Sequence, residues 1–292
     1  MRPADGWRDY ELLDATGGFR LERWGEVLLQ RPDPQVIWQD ARYSDQWQNV
    51  DAIYHRSEKG GGSWEYRRKL PERWEIGYRD LTFIVSPTGF KHTGVFPEQA
   101  ANWDLYDKLI RGAKRPVKVL NLFGYTGGAT LACLAAGASV THVDASKGMV
   151  AWAKENAAAS GLADRPVRWM VDDCQKFVAR EQRRGSFYDA VIMDPPSYGR
   201  GPGGEIWKLE EAIWPLLAQV VAVLNDHPLF FAVNSYTTGL APGVAGYMLG
   251  RLLPGKCGGT VHSGEIGLPV AATGGVLPCG STAVWMGSLQ GG

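Results

Sequence analysis

The chain has 292 residues, 45% hydrophobic and 21% charged, with 31 basic and 31 acidic side chains and a formal net charge of zero. That length allows one large domain and a smaller one, each with a full core, while the charge balance excludes a global electrostatic grip on nucleic acid. No apolar run reaches the roughly 18 residues of a membrane span, and the start MRPADGWRDYELLD lacks the apolar core of a signal peptide, so a cytoplasmic protein is expected.

Up to about residue 96 the chain reads as short β-like pieces with turn punctuation: FRLERWGEVLLQRPDP, SEKGGGSW and WEIGYRDLTFIVSPTGFKHTGVF. A small β-rich accessory domain over residues 1–80 is expected. Its tryptophans Trp24, Trp38, Trp47, Trp64 and Trp74, with Arg67-Arg68-Lys69 and Arg73, suit single-stranded RNA. They equally suit a β-domain that fills its core with Trp and solvates its rim with Arg.

From Pro97 the texture changes. EQAANWDLYDKLIRGA is helical, and apolar runs then alternate with helices: VKVLNLF, SVTHVDA, VRWMVDD, YDAVIMD and LFFAVNSY, with helices near Lys147–Ala159 and Leu209–Leu224 among them. Such βα alternation predicts a parallel sheet covered by helices on both faces over residues 81–292. The final strands TVHSGEIGLPV and STAVWM are separated by AATGGVLPCG rather than by a helix, so an antiparallel C-terminal hairpin is expected.

The motifs sit at strand ends. NLFGYTGGAT follows the first strand, and Gly127 and Gly128 allow a sharp turn into a helix whose free N–H groups would face a ligand. The glycines fall as G-x-x-G-G, not as the G-x-G-x-x-G of a pyrophosphate loop; an ordinary tight βα turn is the simpler alternative. Asp144 ends the second strand, where a carboxylate can accept ribose hydroxyls or cap the next helix, a task Ser146 could perform instead. Asp172 and Asp173 follow the third strand. Asp194-Pro195-Pro196-Ser197-Tyr198 follows the fourth, and its consecutive prolines predict a rigid extended loop.

This ordered set resembles the class I S-adenosylmethionine (SAM)-dependent methyltransferases. The combination of N-F-x-Y-T-G-G with MDPP is similar to bacterial enzymes that methylate large-subunit ribosomal RNA, over about residues 80–292. The resemblance implies a Rossmann-like α/β fold, SAM as cofactor and RNA as substrate. It places the methionine carboxylate of SAM at the Gly127-Gly128 turn, the ribose at Asp144 and the adenine at Asp172, Asp173 and Cys174, with Asn121, Phe123, Tyr125, Thr126, Ala145 and Ser146 as further cofactor contacts. Of the acidic pair, Asp173 is the choice for the adenine amine. Phe96, Glu98 and Gln99 would close over the cofactor, although Pro97-Glu98 also reads as a simple helix start.

The acceptor falls to Asp194, Pro195, Pro196 and Tyr198: the Asp194 side chain and the Pro195 carbonyl could meet an exocyclic amine while Tyr198 stacks on a flipped base. The following RGPGGEIWKLEE reads as a flap in which Arg200 and Lys208 could meet phosphate. Methylation at cytosine carbon 5 needs a covalent thiol. The family's slot for it reads Ala232-Val233-Asn234-Ser235-Tyr236-Thr237, with no cysteine, so a base nitrogen is the expected acceptor. Cys133, Cys174, Cys257 and Cys279 show no metal spacing, and no metal is expected. The same cofactor half would also serve a small-molecule or protein methyltransferase, and a non-catalytic nucleotide- or RNA-binding module is the third class.

Overall fold

The computed structural model describes residues 1–57, 61–89, 91–200, 206–237, 239–253 and 258–288. They form two units: Met1–Ala101 with Ile266–Cys279, and Asn102–Glu265 with Gly280–Gly292. This division differs from the boundary expected after residue 80, because a hairpin spans that point and a C-terminal segment belongs to the first unit.

Unit 1 contains β1 (Arg2–Pro3), β2 (Tyr10–Thr16), β3 (Phe19–Trp24), β4 (Val27–Pro32), β5 (Ala52–Arg56), β6 (Gly62–Tyr66), β7 (Trp74–Tyr78) and β8 (Leu81–Val85). β2 to β6 form one sheet in chain order, antiparallel except for the β4–β5 pair, and β7 pairs with β8 across residue 80. Trp24 and Trp47 are core residues. Trp64 and Trp74 donate their indole N–H to Thr88 O at 2.8 Å and Trp24 O at 3.0 Å. Arg68 pairs with Asp51, and Arg67 lies 3.6 Å from Glu65. These tryptophans and arginines are therefore used largely in building the β-domain. At its centre the fully buried Glu22 accepts two hydrogen bonds from Arg31, at 2.6 and 2.8 Å, and one from Tyr10 at 2.8 Å. A buried carboxylate needs such complete satisfaction.

Unit 2 follows the expected alternation: α1 (Ala100–Gly112), which starts within unit 1, then β9 (Lys118–Leu122), α2 (Gly128–Ala135), β10 (Ser139–Asp144), α3 (Lys147–Ala159), β11 (Val167–Val171), α4 (Cys174–Arg184) and β12 (Ala190–Met193). A short hairpin, β13 (Tyr198–Arg200) and β14 (Ile206–Lys208), leads into α5 (Leu209–Val221), β15 (Phe230–Ser235), α6 (Pro242–Leu252), β16 (Thr260–Pro269) and β17 (Val276–Met286). The sheet order is β16-β17-β15-β12-β9-β10-β11, parallel from β15 to β11 and antiparallel between β15 and β17. The central strands β9, β10, β12 and β15 are buried on both faces, which explains their near-continuous apolar sequence, whereas β11 is only partly buried. Leu120, Leu122, Val143, Phe177, Val191, Met193, Leu217, Phe231 and Trp285 form the core on one face.

Two elements depart from expectation. α6 was not foreseen because Gly243, Gly246 and Gly250 weaken its helical signal; Gly246 is needed, since a Cβ there would lie 2.8 Å from Ser263 Oγ. The second half of the linker AATGGVLPCG proves to be strand: β17 begins at Val276, and the turn is closed by Val270 N–H to Gly275 O at 2.9 Å, with Gly274 at φ +68°.

Candidate cofactor and acceptor site

The sheet order reverses at β9, so its two neighbours β10 and β12 leave a crevice at their carboxyl ends, where open α/β sheets bind ligands. Register brings the motifs to one level there. Leu122 pairs with Val143 and with Met193, and Asp144 pairs with Val171. The loops carrying Phe123–Gly127, Asp144–Ser146, Asp172–Asp173 and Asp194–Tyr198 therefore line one sheet edge.

The glycine loop is tightly wound. Phe123 (φ +58°), Tyr125 (φ +50°) and Gly127 (φ +92°) are left-handed, an uncommon conformation for the two aromatic residues. Gly124 N–H donates to Val143 O at 3.0 Å, Tyr125 N–H to Asp144 Oδ2 at 2.9 Å, and Ser146 N–H to Asp144 Oδ1 at 2.8 Å. Asp144 thus clamps the loop to β10 while each oxygen keeps a lone pair for a further donor. The α2 N-terminus follows, and the N–H groups of Gly128 and Ala129 in its first turn have no acceptor within the helix. Gly127 and Gly128 are required by their neighbours as well as by any ligand: a Cβ on Gly127 would lie 3.0 Å from Ala153 Cβ, and one on Gly128 would lie 2.5 Å from Trp103 Cζ2. Thr126 is buried, and its carbonyl accepts from Asn156 Nδ2 at 2.9 Å.

Beneath the loop lies a residue the sequence reading passed over. The His142 ring fills the space that a Cβ on Gly124 would occupy, 2.4 Å from Cε1. Asn121 Nδ2 donates to Thr130 Oγ1 at 2.9 Å, and that hydroxyl lies 2.9 Å from His142 Nδ1. The Asn121 amide therefore serves this buried chain. Burial lowers the His142 pKa to about 3, so the ring is neutral in the folded protein. As pH falls below 6.5, the unfolded chain binds a proton that the folded chain refuses. Stability is full above that pH and declines by about 1.4 kcal/mol per unit down to about pH 3. His142→Asn is expected to remove one proton's share of this acid limb in chemical-denaturation curves measured from pH 7 to 4.

The acidic pair divides its labour. Asp173 caps α4, accepting Lys176 N–H at 2.8 Å, whereas Asp172 is ion-paired with Arg180. Ser146 caps α3 through Met149 N–H at 3.3 Å, Ala145 is exposed beside it, and Cys174 is buried at the start of α4. In the Asp194 loop Pro195 is buried and Pro196 exposed, and Trp207 Nε1–H donates to Pro196 O at 2.6 Å. Ser197 and Thr237 hydroxyls meet at 2.7 Å, and Tyr198 is 53% exposed. Lys208 pairs with Glu211 at 2.9 Å; residues 201–205 and the Arg200 side chain lie outside the described residues. Phe96, Glu98 and Gln99 belong to unit 1, where Pro97–Gln99 is a 3-10 turn with Glu98 and Gln99 buried. The helix-start reading of that segment describes its local structure.

Cys133, Cys174 and Cys279 are buried, and burial pushes each thiol above its ordinary pKa; Cys257 lies outside the described residues. Among the described residues no cluster of ligating side chains could hold a metal, and no helix is long and apolar enough to cross a membrane.

The sequence profile of the S-adenosylmethionine-dependent methyltransferases matches residues 38–207. The chain belongs to this family. A SAM-dependent methyltransferase from Agrobacterium tumefaciens is 38% identical, with a TM-score of 0.90 over 96% of this chain and 91% of that one. A candidate SAM-dependent methyltransferase from Streptococcus mutans, 18% identical with a TM-score of 0.74 over 97% of this chain and 76% of its own, shares the fold. Among curated relatives, the ribosomal RNA large subunit methyltransferase K/L of Shewanella baltica strain OS195 is 35% identical over 183 residues, 59% of this chain and 24% of that protein. The namesake from Syntrophotalea carbinolica is 29% identical over 144 residues, 49% of this chain and 19% of that protein. The chain thus spans a quarter or less of the length of these two relatives.

As a family member the protein is a SAM-dependent methyltransferase, and its donor set fits that cofactor. A helix N-terminus suits a carboxylate, and Asp144 retains acceptor capacity for hydroxyls. Asp144→Ala is expected to weaken SAM by about 1–3 kcal/mol, because it removes both that acceptor and the clamp on Tyr125 N–H. Calorimetry on folded variant checks this, and wild-type affinity would remove Asp144 from the site.

Proposed function

We propose that this protein methylates a base nitrogen of RNA, with large-subunit ribosomal RNA as the substrate, in the cytoplasm. The observation that carries the reading is the alignment of the Asp194-Pro195-Pro196-Ser197-Tyr198 loop with the glycine loop at one sheet edge, Tyr198 being exposed beside it. The names of the curated relatives support the substrate class.

SAM supplies a methyl group already activated by its sulfonium. The chain has to bind, orient and exclude water. Gly128 and Ala129 N–H groups would hold the methionine carboxylate, Asp144 the ribose hydroxyls, and Asp173 with the Cys174 backbone the adenine. Asp194 and the Pro195 carbonyl accept hydrogen bonds from the acceptor amine and fix its lone pair toward the methyl group, while Tyr198 offers a face to the base. In this reading Asp194 also receives the proton released. The burial of Cys133, Cys174 and Cys279, the cysteines among the described residues, and the cysteine-free end of β15 favour nitrogen over carbon 5, since covalent activation needs a reachable thiolate.

Mass spectrometry of ribosomal RNA from a deletion strain, with restoration by the purified protein and SAM, tests the reading. One missing methyl mark on a base nitrogen is the expected result. Intact RNA methylation with a missing mark on a protein or small molecule would replace it.

A further inference from the structure

We propose that Trp207 is a positioning residue that couples the cofactor loop to the acceptor loop. Its ring lies 5.8 Å from that of Phe123 at an interplanar angle of 49°, and its Nε1–H donates to Pro196 O at 2.6 Å. One side chain thus touches the entry of the glycine loop and the middle of the Asp194 loop.

The surroundings favour a mechanical role over simple filling. Phe123 is held at φ +58°, a conformation that a bulky residue keeps only where its surroundings impose it. Pro195 and Pro196 have no N–H groups, so the loop cannot secure itself with backbone donors there and depends on acceptor-side contacts. Trp207 supplies one; Leu209 N–H to Ser197 O at 3.1 Å and the Ser197–Thr237 hydroxyl pair are among the others. Trp207 itself is fixed by β13–β14 pairing, opposite Gly199, and packs on the core with Phe123. A cofactor that orders the Phe123 loop therefore steadies Trp207, which steadies the carbonyl next to the residues proposed to meet the acceptor.

The two contacts can be separated. Trp207→Phe keeps a ring against Phe123 and loses the N–H, whereas Trp207→Ala loses both. With S-adenosylhomocysteine as probe, calorimetry should give Trp207→Phe an affinity within about threefold of wild type and Trp207→Ala a loss of about tenfold. Amide exchange at Ser197, Tyr198 and Gly199 should accelerate by about tenfold in Trp207→Phe. Methyl transfer to an unmodified large-subunit RNA transcript should then fall through kcat, with KM for SAM little changed.

If Trp207→Ala does not fold, Phe123→Leu takes its place and should show the same loss of affinity. Unchanged exchange in Trp207→Phe, or an affinity loss equal to that of the variant lacking the ring, would overturn the coupling. The turnover arm rests on the RNA reading and the exchange arm does not. A wild-type protein that leaves the transcript unmethylated would defeat that reading while the binding and exchange results still decide the role of Trp207.

Discussion

Gly124→Ala is expected to weaken SAM binding by about 5- to 150-fold. The added Cβ would fall 2.4 Å from His142 Cε1 and 2.5 Å from Nδ1, inside any real contact distance. The ring has nowhere to go: it is fully buried, tied through Nδ1 to Thr130, and 4.9 Å from the Trp169 ring. The loop must move instead, which breaks the Gly124 N–H to Val143 O bond and displaces Tyr125 from Asp144. Overpacking of this kind costs about 1–3 kcal/mol, and because the strain falls on the ligand loop, it should appear chiefly as lost affinity. Gly124 has ordinary φ, so the objection to alanine is steric, and a second substitution can remove it. Gly124→Ala with His142→Ala should bind SAM better than Gly124→Ala alone, a non-additivity that a double-mutant cycle measures directly. Additive losses would show that the ring and the loop are independent.

Asp194→Ala should lower methyl transfer by about 10²-fold or more, the range for removing one positioned polar partner, while SAM affinity stays largely intact. Replacing all four cysteines by Ala or Ser should leave appreciable turnover. The two results belong together. A nitrogen acceptor needs alignment and a place for its proton, and it needs no covalent bond to the enzyme. Because Cys133 and Cys174 are buried in the core, circular dichroism must first establish that the cysteine-free protein is folded. A folded, SAM-binding, inactive cysteine-free variant beside an active Asp194→Ala would replace the nitrogen mechanism with a covalent one.

What could be read from the sequence follows from the physics of each element. Parallel strands buried on both faces are continuous apolar runs, so VKVLNLF, SVTHVDA and YDAVIMD announce themselves, and the acids and glycines at their ends mark the sheet edge. In α6 only Gly246 packs close to Ser263, while Gly243 and Gly250 face open space, and the three glycines together hide its helical signal. Val276–Gly280 looks like a linker because Pro278 and Gly280 are poor strand formers, although both sit within β17. β2 is irregular at a bulge between Leu12 and Asp14, which blurs its alternation. Side-chain partnerships are a different matter. A lone Trp207 next to a glycine-rich stretch signals that something must cover an indole, and a lone histidine two residues before Asp144 signals little. Neither position names its partner, because Pro196 and Gly124 are brought to them only by the fold.

Unit 1 is assembled from both ends of the chain, and this sets the order in which the protein can complete itself during synthesis. Leu12 O and Leu13 O accept N–H groups from Ala271 and Ala272, and β1 pairs with Ile266 and Gly267. Roughly 260 residues separate these partners, which at about 5–20 residues per second of translation means roughly 13–50 seconds between the two halves. Through that interval the outer edge of β2 stands without those partners on a nascent chain, in the condition most prone to wrong pairing. Unit 2 waits as well, because β15 has no antiparallel neighbour until β17 emerges. Although the strands of residues 2–16 are made first, they cannot be finished first, so emergence of residues 266–286 is the event that completes both units.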